Sequence, residues 1–351
     1  MAKKVTAALV GLTAPHSKGW LEGLRHCPDV GRLAVCDSGM DGLDAPEGAE
    51  AYADLDVLLE KEELGIGLVS LPNDEAPAAA EKLLRAGVPC IVEKPVARTA
   101  AEIEALDRLA RERGVLWATG FMNRYNPVAQ ELKRLVDGGA LGRITSIEGR
   151  MVTSTVGQRD PAHWLFNKER AGGGILHWLA IHTIDLIRYF SGLEYASVAA
   201  HTATLSGEDI DVEDLAALSC RMDNGALATI HAGYVLGRRY GDIHLAVRGD
   251  RGEAVWEMWG FDGRGDTLKV YSDAPQWAAA DLTEIRAPGR EVPGYGGAPG
   301  QRFLSDFIRA AGSDGAFVTD GTDALRAMQL VEAAYAAAAG GRTVELKKAE
   351  S

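Results

Sequence analysis

The feature that most constrains the fold of this chain is a regular alternation of strand-like and helix-like segments between residues 5 and 120. Short apolar runs predict strands at residues 5–10, 31–36, 66–71, 87–92 and 115–120. Helical spacing of apolar residues occurs at 19–27, 53–61, 75–86 and 99–113. Consecutive parallel strands need a crossover of a dozen or more residues, which a helix supplies. The alternation therefore predicts βαβ units that build a doubly wound parallel sheet.

After residue 120 the pattern changes to strand-like runs with few helices between them. A helix is predicted at 128–136, and an apolar helix at 175–190 follows Gly172-Gly173-Gly174 and ends at Gly192. The predicted strands are 144–154, 196–205, 215–222, 226–234, 243–249, 253–258 and 267–271. Asn224-Gly225, between two of these strands, is a strong signal for a hairpin.

Together these patterns predict an α/β chain of two domains. Residues 1–121 are expected to form a Rossmann domain with a doubly wound parallel sheet. Residues 122–351 are expected to form an α+β domain with a mostly antiparallel open sheet. The stretch 288–300, rich in glycine and proline, is predicted to be a loop or linker. The helices predicted at 303–311 and 322–339 are expected to pack back on the first domain.

Composition and charge exclude several classes of protein. The net charge of −13, with acidic residues spread along the chain, argues against nucleic-acid binding. No apolar run approaches the length of a membrane span, so no membrane partner is predicted. The four cysteines are scattered without a CxxC pair or metal-ligand spacing. Cys36 and Cys90 lie inside apolar runs and are interpreted as reduced core residues of a cytoplasmic protein. No metal site is predicted.

The strand at 87–92 runs directly into Glu93-Lys94-Pro95. In open α/β sheets, ligands bind at the carboxyl ends of the strands. A partly desolvated lysine at that edge has a lowered pKa and exchanges a proton near neutral pH. Taken alone, the three residues are a weak signal and are more typical of a solvated turn than of an active site.

The turn after the first strand reads Gly11-Leu12-Thr13-Ala14-Pro15-His16, where a dinucleotide fingerprint would read G-x-G-x-x-G. Only the first glycine is present. Asp37 ends the second strand, where a carboxylate binds both ribose hydroxyls and repels a 2′-phosphate, which indicates NAD rather than NADP. The alternative for Asp37 is a residue that starts a turn. The cofactor-binding residues predicted in this half are Gly11, Leu12, Thr13, His16, Asp37, Leu71, Pro72, Asn73, Glu93 and Lys94.

Three ordered motifs resemble the Gfo/Idh/MocA oxidoreductases, the group around glucose–fructose oxidoreductase and inositol dehydrogenase. Members show E-K-P, then N-R-x-x-P, then a G-G-G-x-L-x-D-x-G-x-H-x-x-D helix. Here these read Glu93-Lys94-Pro95, Asn123-Arg124-Tyr125-Asn126-Pro127, and a helix that begins with Gly172-Gly173-Gly174 and carries His182 and Asp185. Residues 331–344 also resemble the family's last helix and strand.

The chain departs from the family pattern in three places. The glycine fingerprint is degraded, and Ala76 stands where a histidine often follows the third strand. Most importantly, Trp178 stands where the family has its catalytic aspartate, four residues before His182. The resemblance therefore implies the fold and the cofactor more firmly than it implies the reaction.

The resemblance implies roles for several further residues. Lys94 and His182 are expected to handle the proton of a substrate hydroxyl, although a lone histidine on an apolar helix is often a core residue. Asp185, three residues after His182, shares its face and is expected to orient the imidazole. Trp178 is expected to border the substrate pocket or, alternatively, to fill the core. Three residues have open assignments: Arg124 (cofactor, substrate or a salt bridge), Trp164 (nicotinamide or core) and His163 (substrate or core).

The function implied is an NAD-dependent oxidoreductase that acts on a ring hydroxyl or ketone of a sugar, polyol or glycoside. Two alternatives stay open. One is a non-catalytic nucleotide-sensing homologue, which the degraded fingerprint and Trp178 favour. The other is an NAD-dependent glycosidase or lyase that uses transient oxidation. A homo-oligomer, associated through the open sheet, is also expected.

Overall fold

The computed structural model describes residues 4–40, 46–237, 241–259, 265–275, 277, 283–286, 292–313 and 315–347. The chain divides into two compact units. The first unit comprises Met1–Tyr125 and Gly289–Leu325, and the second comprises Asn126–Pro288 and Arg326–Ser351.

Within its described part, the first unit contains a six-stranded parallel sheet with helices in the crossovers. Its elements up to residue 119 are β1 (Val5–Val10), α1 (Ser17–His26), β2 (Val30–Cys36), β3 (Glu50–Tyr52), α2 (Leu55–Lys61), β4 (Ile66–Val69), α3 (Ala76–Arg85), β5 (Cys90–Val92), α4 (Ala100–Arg113) and β6 (Trp117–Thr119). The strand order is β3-β2-β1-β4-β5-β6. The predicted doubly wound parallel sheet is confirmed. The short edge strand β3 is an addition that sequence analysis does not predict.

Helix α4 shows how local sequence sets the ends of an element. Thr99 accepts a hydrogen bond from the amide of Glu102, and the Glu102 carboxylate accepts one from the amide of Thr99. This capping box satisfies amides that the first turn leaves unpaired. Gly114 ends the helix with φ of 64°, a left-handed conformation that glycine adopts at no steric cost.

The second unit contains a nine-stranded sheet whose described pairs are antiparallel except for one. Its elements up to residue 286 are α5 (Pro127–Asp137), β7 (Ile144–Ser154), α6 (Lys168–Ala171), α7 (Ile181–Ser191), β8 (Tyr195–Ala203), β9 (Leu215–Met222), β10 (Leu227–Leu236), β11 (Asp242–Gly249), β12 (Gly252–Trp259), β13 (Gly265–Ser272) and β14 (Thr283–Arg286). The last elements of the chain are α8 (Gly297–Ala311), α9 (Gly321–Gly340) and β15 (Val344–Glu345). The strand order is β14-β13-β12-β11-β7-β10-β9-β8-β15, and the parallel pair is β7 with β10. The predicted, mostly antiparallel sheet is confirmed.

The hairpin between β9 and β10 forms at Asn224-Gly225, as the sequence predicts. Leu227 pairs with Arg221, and Gly225 has φ of 90°. Side chains on β9 and β10 alternate between buried and exposed positions. One face of the sheet is therefore buried, and the other, which carries Leu227, is exposed.

The segment after residue 288 differs from its prediction. Residues 288–291 lie outside the described part, but α8 already begins at Gly297 rather than at residue 303. Pro299 sits in the first turn of α8, where the missing amide hydrogen costs nothing. Phe303 and Phe307 from α8 join the core of the first unit, together with Trp20.

The helix after Gly174 also differs from the regular helix predicted at 175–190. Residues Leu176–Ala180 form a π turn, and α7 continues from Ile181 to Ser191. Gly192 ends the helix with φ of 67°, as predicted. On β7, a Cβ at Gly149 would lie 2.5 Å from Cγ2 of Thr183, so this glycine allows α7 to approach the sheet closely.

In the part of the chain that the structure describes, no helix is both long and apolar enough to span a membrane. The cytoplasmic location inferred from the cysteines stays a prediction.

Candidate active site

The turn after β1 has the close backbone approach expected of a phosphate-binding turn. Gly11 has φ of 97°, and a Cβ on it would lie 2.3 Å from the carbonyl oxygen of Ser70. Any side chain at this position would collide with the end of β4, so this glycine is required. Leu12 follows, and its amide donates a 2.7 Å hydrogen bond to Oδ2 of Asp37.

Asp37 ends β2 beside this turn, and both of its predicted roles are compatible with the structure. Its Oδ1 accepts a 2.8 Å hydrogen bond from the amide of Gly39, which is the turn-starting role. Its carboxylate oxygens have further lone pairs, because each accepts two hydrogen bonds. The turn at Gly11 fits the phosphate groups of a dinucleotide, and the carboxylate at the end of the second strand fits its ribose.

His16 occupies the position of the third fingerprint glycine and has a different set of contacts. Its Nδ1 lies 3.3 Å from Oε1 of Glu93. Its ring stacks on the ring of Tyr295, with centroids 4.0 Å apart and planes 20° apart. The amide of Tyr295 donates a 2.9 Å hydrogen bond to the carbonyl oxygen of Gly19 in α1. A loop from late in the chain therefore holds His16 against Glu93.

Glu93 is a buried carboxylate with several partners. Oε2 accepts a hydrogen bond from the indole nitrogen of Trp20, and Oε1 lies near both His16 and Lys94. Burial alone would raise the pKa of Glu93, but its interactions with His16, Lys94 and Trp20 hold that pKa below its ordinary value. The carboxylate is therefore ionised at neutral pH.

Lys94 has a fully buried side chain, with Nζ 3.8 Å from Oε1 of Glu93. Burial lowers the pKa of Lys94 to about 8, and the Glu93 carboxylate limits the drop. Burial and the charge of Lys94 lower the pKa of His16, so that its imidazole is neutral at pH 7. Lys94 can thus gain and lose a proton within the range in which enzymes work.

The backbone after Lys94 is strained. Val96 is a buried β-branched residue with φ of 80°, a left-handed conformation that such residues rarely adopt. Its amide donates a 3.0 Å hydrogen bond to the carbonyl oxygen of Glu93, which closes the turn. Strain of this kind clusters at functional sites, where the surrounding structure holds it.

The other predicted residues of the first unit are placed as follows. Leu71, Pro72 and Asn73 follow β4 at the same edge of the sheet as Glu93, and Pro72 and Asn73 are buried. Arg124 is buried and forms a two-pronged ion pair with Asp323, with nitrogen–oxygen distances of 2.8 and 2.9 Å. Arg124 had three possible roles: contact with the cofactor, contact with the substrate, or a salt bridge. The structure shows the salt bridge, and this salt bridge is buried.

In the second unit, three predicted residues form an aromatic cluster. The rings of Trp164 and Trp178 meet edge to face, with centroids 5.7 Å apart. The ring of His163 lies 5.4 Å from that of Trp164, and its Nδ1 accepts a hydrogen bond from the amide of Leu165. Trp178 is 5% exposed, so it is a buried residue of this unit.

His182 and Asp185 lie in the first turns of α7, and both are buried. A spacing of three residues makes them neighbours on the helix surface. Trp178 precedes them in the π turn, a feature that is frequent at functional sites.

The triple glycine before this helix is explained by Glu213, which sequence analysis does not identify. Its carboxylate accepts hydrogen bonds of 2.8 and 2.9 Å from the amides of Gly174 and Leu176, and one of 2.9 Å from the hydroxyl of Tyr335. A Cβ on Gly174 would lie 1.9 Å from the carbonyl oxygen of Glu213, and one on Gly173 would lie 2.0 Å from that hydroxyl. The glycines therefore allow a distant carboxylate to cap the helix that carries His182.

The partners missed from sequence share one property, which is distance along the chain. Trp20, Tyr295 and Glu213 contact residues that are tens to hundreds of positions away. Local spacing carries no signal for such contacts. The sequence did contain one signal for Glu213. Three glycines in succession indicate that another group approaches the backbone closely, but they do not indicate which group it is.

Comparison with family models identifies the class of protein. Residues 6–121 match the model described as an oxidoreductase family with an NAD-binding Rossmann fold, and residues 129–255 match the GFO/IDH/MocA C-terminal domain. The chain belongs to the Gfo/Idh/MocA oxidoreductase family, and its N-terminal third is an NAD-binding Rossmann domain.

Among individual proteins, the chain is similar to levoglucosan dehydrogenase of Pseudarthrobacter phenanthrenivorans, with 28% identity over 58% of this chain. It is also similar to myo-inositol dehydrogenase Hyg17 of Streptomyces leeuwenhoekii, with 30% identity over 53% of this chain. The matched regions span 56% and 55% of those relatives. A similar solved structure is GenD2 from gentamicin A biosynthesis in complex with NAD, with 25% identity, coverage of 99% of this chain and 98% of that chain, and a TM-score of 0.82.

The position of Asp37 predicts preference for NAD over NADP, because its carboxylate would repel a 2′-phosphate. Asp37→Ala should narrow the difference between the two dissociation constants, and each tenfold of preference corresponds to about 1.4 kcal/mol. Both constants can be measured by calorimetry. Asp29→Asn is the matched control, because it removes a carboxylate that directly precedes the first residue of β2. This variant should keep the preference for NAD. Tighter binding of NADP than NAD by the unmodified protein would contradict the prediction.

Proposed function

We propose that this protein is an NAD-dependent oxidoreductase that acts on a CH–OH group of a carbohydrate-like substrate, with Lys94 as the acid–base group. The observation that carries the proposal is the buried Lys94 at the carboxyl end of β5, with a pKa of about 8. The family, and relatives named as levoglucosan and inositol dehydrogenases, support the reaction class.

The chemistry divides between cofactor and chain. Bound NAD supplies a nicotinamide that accepts hydride in the oxidation direction and, when reduced, donates it in the other. The neutral amine of Lys94 takes the proton of the hydroxyl as the carbonyl forms, and its ammonium form returns the proton in the reverse reaction. The Glu93 carboxylate, which is ionised at neutral pH, holds Lys94 in place. Gly11, Leu12 and Asp37 would hold the cofactor's phosphate and ribose groups.

The roles proposed for the second unit rest on the family motif and on burial. His182 is proposed to bind or protonate a substrate hydroxyl, with Asp185 orienting its ring. Trp178 replaces the family's carboxylate with a broad apolar ring, so we propose that the substrate presents an apolar face, as a glycoside does. The ring of Trp164 contacts Trp178, and the ring of His163 contacts Trp164. Both residues are proposed to hold Trp178 in position.

Lys94→Met keeps an unbranched apolar stem up to the ε position and removes the amine. We expect kcat to fall by roughly 10² to 10⁴, the usual contribution of proton transfer, while NAD binding stays nearly intact. NADH absorbance with a panel of sugars, polyols and glycosides measures this. Lys82→Met is the matched control, because Lys82 is exposed and pairs with Asp56.

The panel also separates the proposal from its alternatives. Net NADH production identifies a dehydrogenase, whereas product without NADH identifies elimination through transient oxidation. A protein that binds NAD but forms neither NADH nor product is identified as a sensor. An undiminished rate in the Lys94→Met protein would contradict the role of Lys94.

We also propose that copies of the chain associate through the exposed face of the second unit's sheet. Leu227 and Tyr271 are large apolar side chains that are 53% and 46% exposed there. Sedimentation should give at least twice the chain mass of 37.4 kDa. Leu227→Asp combined with Tyr271→Asp should reduce it, whereas Leu205→Asp, an exposed position outside the strands, should not. A monomer mass for the unmodified protein would rule out this assembly.

A further inference from the structure

A base that is fully buried must exchange its proton with water in every catalytic cycle. Oxidation of a CH–OH group by NAD yields a carbonyl, NADH and one proton, and the proposed base, Lys94, receives that proton. The Lys94 side chain is 0% exposed. If the function proposed above is correct, the chain needs a route that carries the proton from Nζ to solvent.

The first unit contains a line of groups suited to that transfer. Oε1 of Glu93 is the shared atom, because it lies 3.8 Å from Nζ of Lys94 and 3.3 Å from Nδ1 of His16. Exposure rises along this line, from 0% at Lys94 and 3% at Glu93 to 18% at the His16 side chain. An approach of about 1 Å by the flexible lysine stem brings Nζ within hydrogen-bond distance of Oε1.

The groups around His16 favour such a role. Tyr295 stacks on its ring and fixes its orientation. Burial raises the pKa of the Tyr295 hydroxyl well above its ordinary value. The phenol therefore keeps its own proton and takes no part in the transfer. Trp20 donates to the other oxygen of Glu93 and leaves Oε1 to face Lys94 and His16. The charged neighbours of His16 in this unit, Glu93 and Lys94, are thus the two groups that the route requires.

We propose that Glu93 and His16 form the route by which the proton leaves Lys94, and that His16 replaces the fingerprint glycine for this reason. An N–H bond of the Lys94 ammonium breaks as an O–H bond forms at Oε1 of Glu93. That proton then passes to Nδ1 of His16, and the resulting imidazolium releases a proton from Nε2 to water. No electrons are transferred, and one proton moves from Nζ to solvent.

The route can be tested without a substrate by measuring how fast the Lys94 ammonium protons exchange with water. Protein labelled with ¹⁵N-lysine gives an Nζ resonance that Lys94→Met assigns by its loss. His16→Gln keeps a group that can hydrogen-bond to Glu93 but cannot carry a proton. We expect exchange at Lys94 to slow by about tenfold or more in this variant at pH 6.5.

Two further variants sharpen the test. His26→Gln changes the exposed histidine at the other end of α1 and should leave exchange at the wild-type rate. His16→Ala leaves space beside Tyr295, and added imidazole should restore fast exchange there. A merely structural role for His16 predicts no rescue by imidazole. Unchanged exchange in His16→Gln, with the melting temperature preserved, would overturn the route.

This experiment separates the route from the proposed function. A protein that shows the expected exchange but produces no NADH from any carbohydrate retains the route and refutes the oxidoreductase proposal. A protein that oxidises a carbohydrate but exchanges the Lys94 protons independently of His16 retains the function and refutes the route.

Discussion

The buried carboxylate of Glu93 is the interaction on which the candidate site depends. An ionised group removed from water is costly unless hydrogen bonds and opposite charge compensate it. Three groups supply that compensation: His16 and Trp20 at the start of α1, and Lys94, which is next to Glu93 in the sequence. The Glu93 carboxylate in turn compensates the charge of the buried Lys94. Burial lowers the pKa of Lys94 to about 8, and Glu93 limits the drop, so this lysine can gain and lose a proton near neutral pH.

In the second unit, unpaired polar groups also need partners, at the start of the helix that carries His182. The first amides of a helix lack partners within the helix. Glu213, distant in the sequence, accepts hydrogen bonds from two of them, Tyr335 donates to its carboxylate, and Gly173 and Gly174 leave the space. Trp178 lies in the π turn that follows, and His182 lies in the first turn of α7. The triple glycine is therefore explained by packing, whereas the chemistry that we propose for this unit is assigned to the side chains that follow it.

Local patterns predicted most of the fold. Strands β1, β7 and β9 occur at their predicted bounds, and both ends of α4 follow from its capping residues. The short edge strands β3 and β14 were missed, because three or four residues carry no periodicity. The start of α8 was missed because its glycines and Pro299 resemble a loop. In the site, Lys94 and Asp37 followed from their places at strand ends. The partners of Glu93 did not, because only the folded chain brings Trp20 and Tyr295 to that position.

The central claim is that Lys94 is a buried base tuned to neutral pH, and the most direct test is its own titration. The Nζ resonance of Lys94 in ¹⁵N-lysine-labelled protein, followed by NMR from pH 6 to 11, should give a pKa of about 8. An unfolded lysine titrates near pH 10.4, so the folded protein should also gain stability as the pH rises between these two values. A Lys94 pKa at the ordinary value would contradict the account, because the amine would then be protonated throughout the working range.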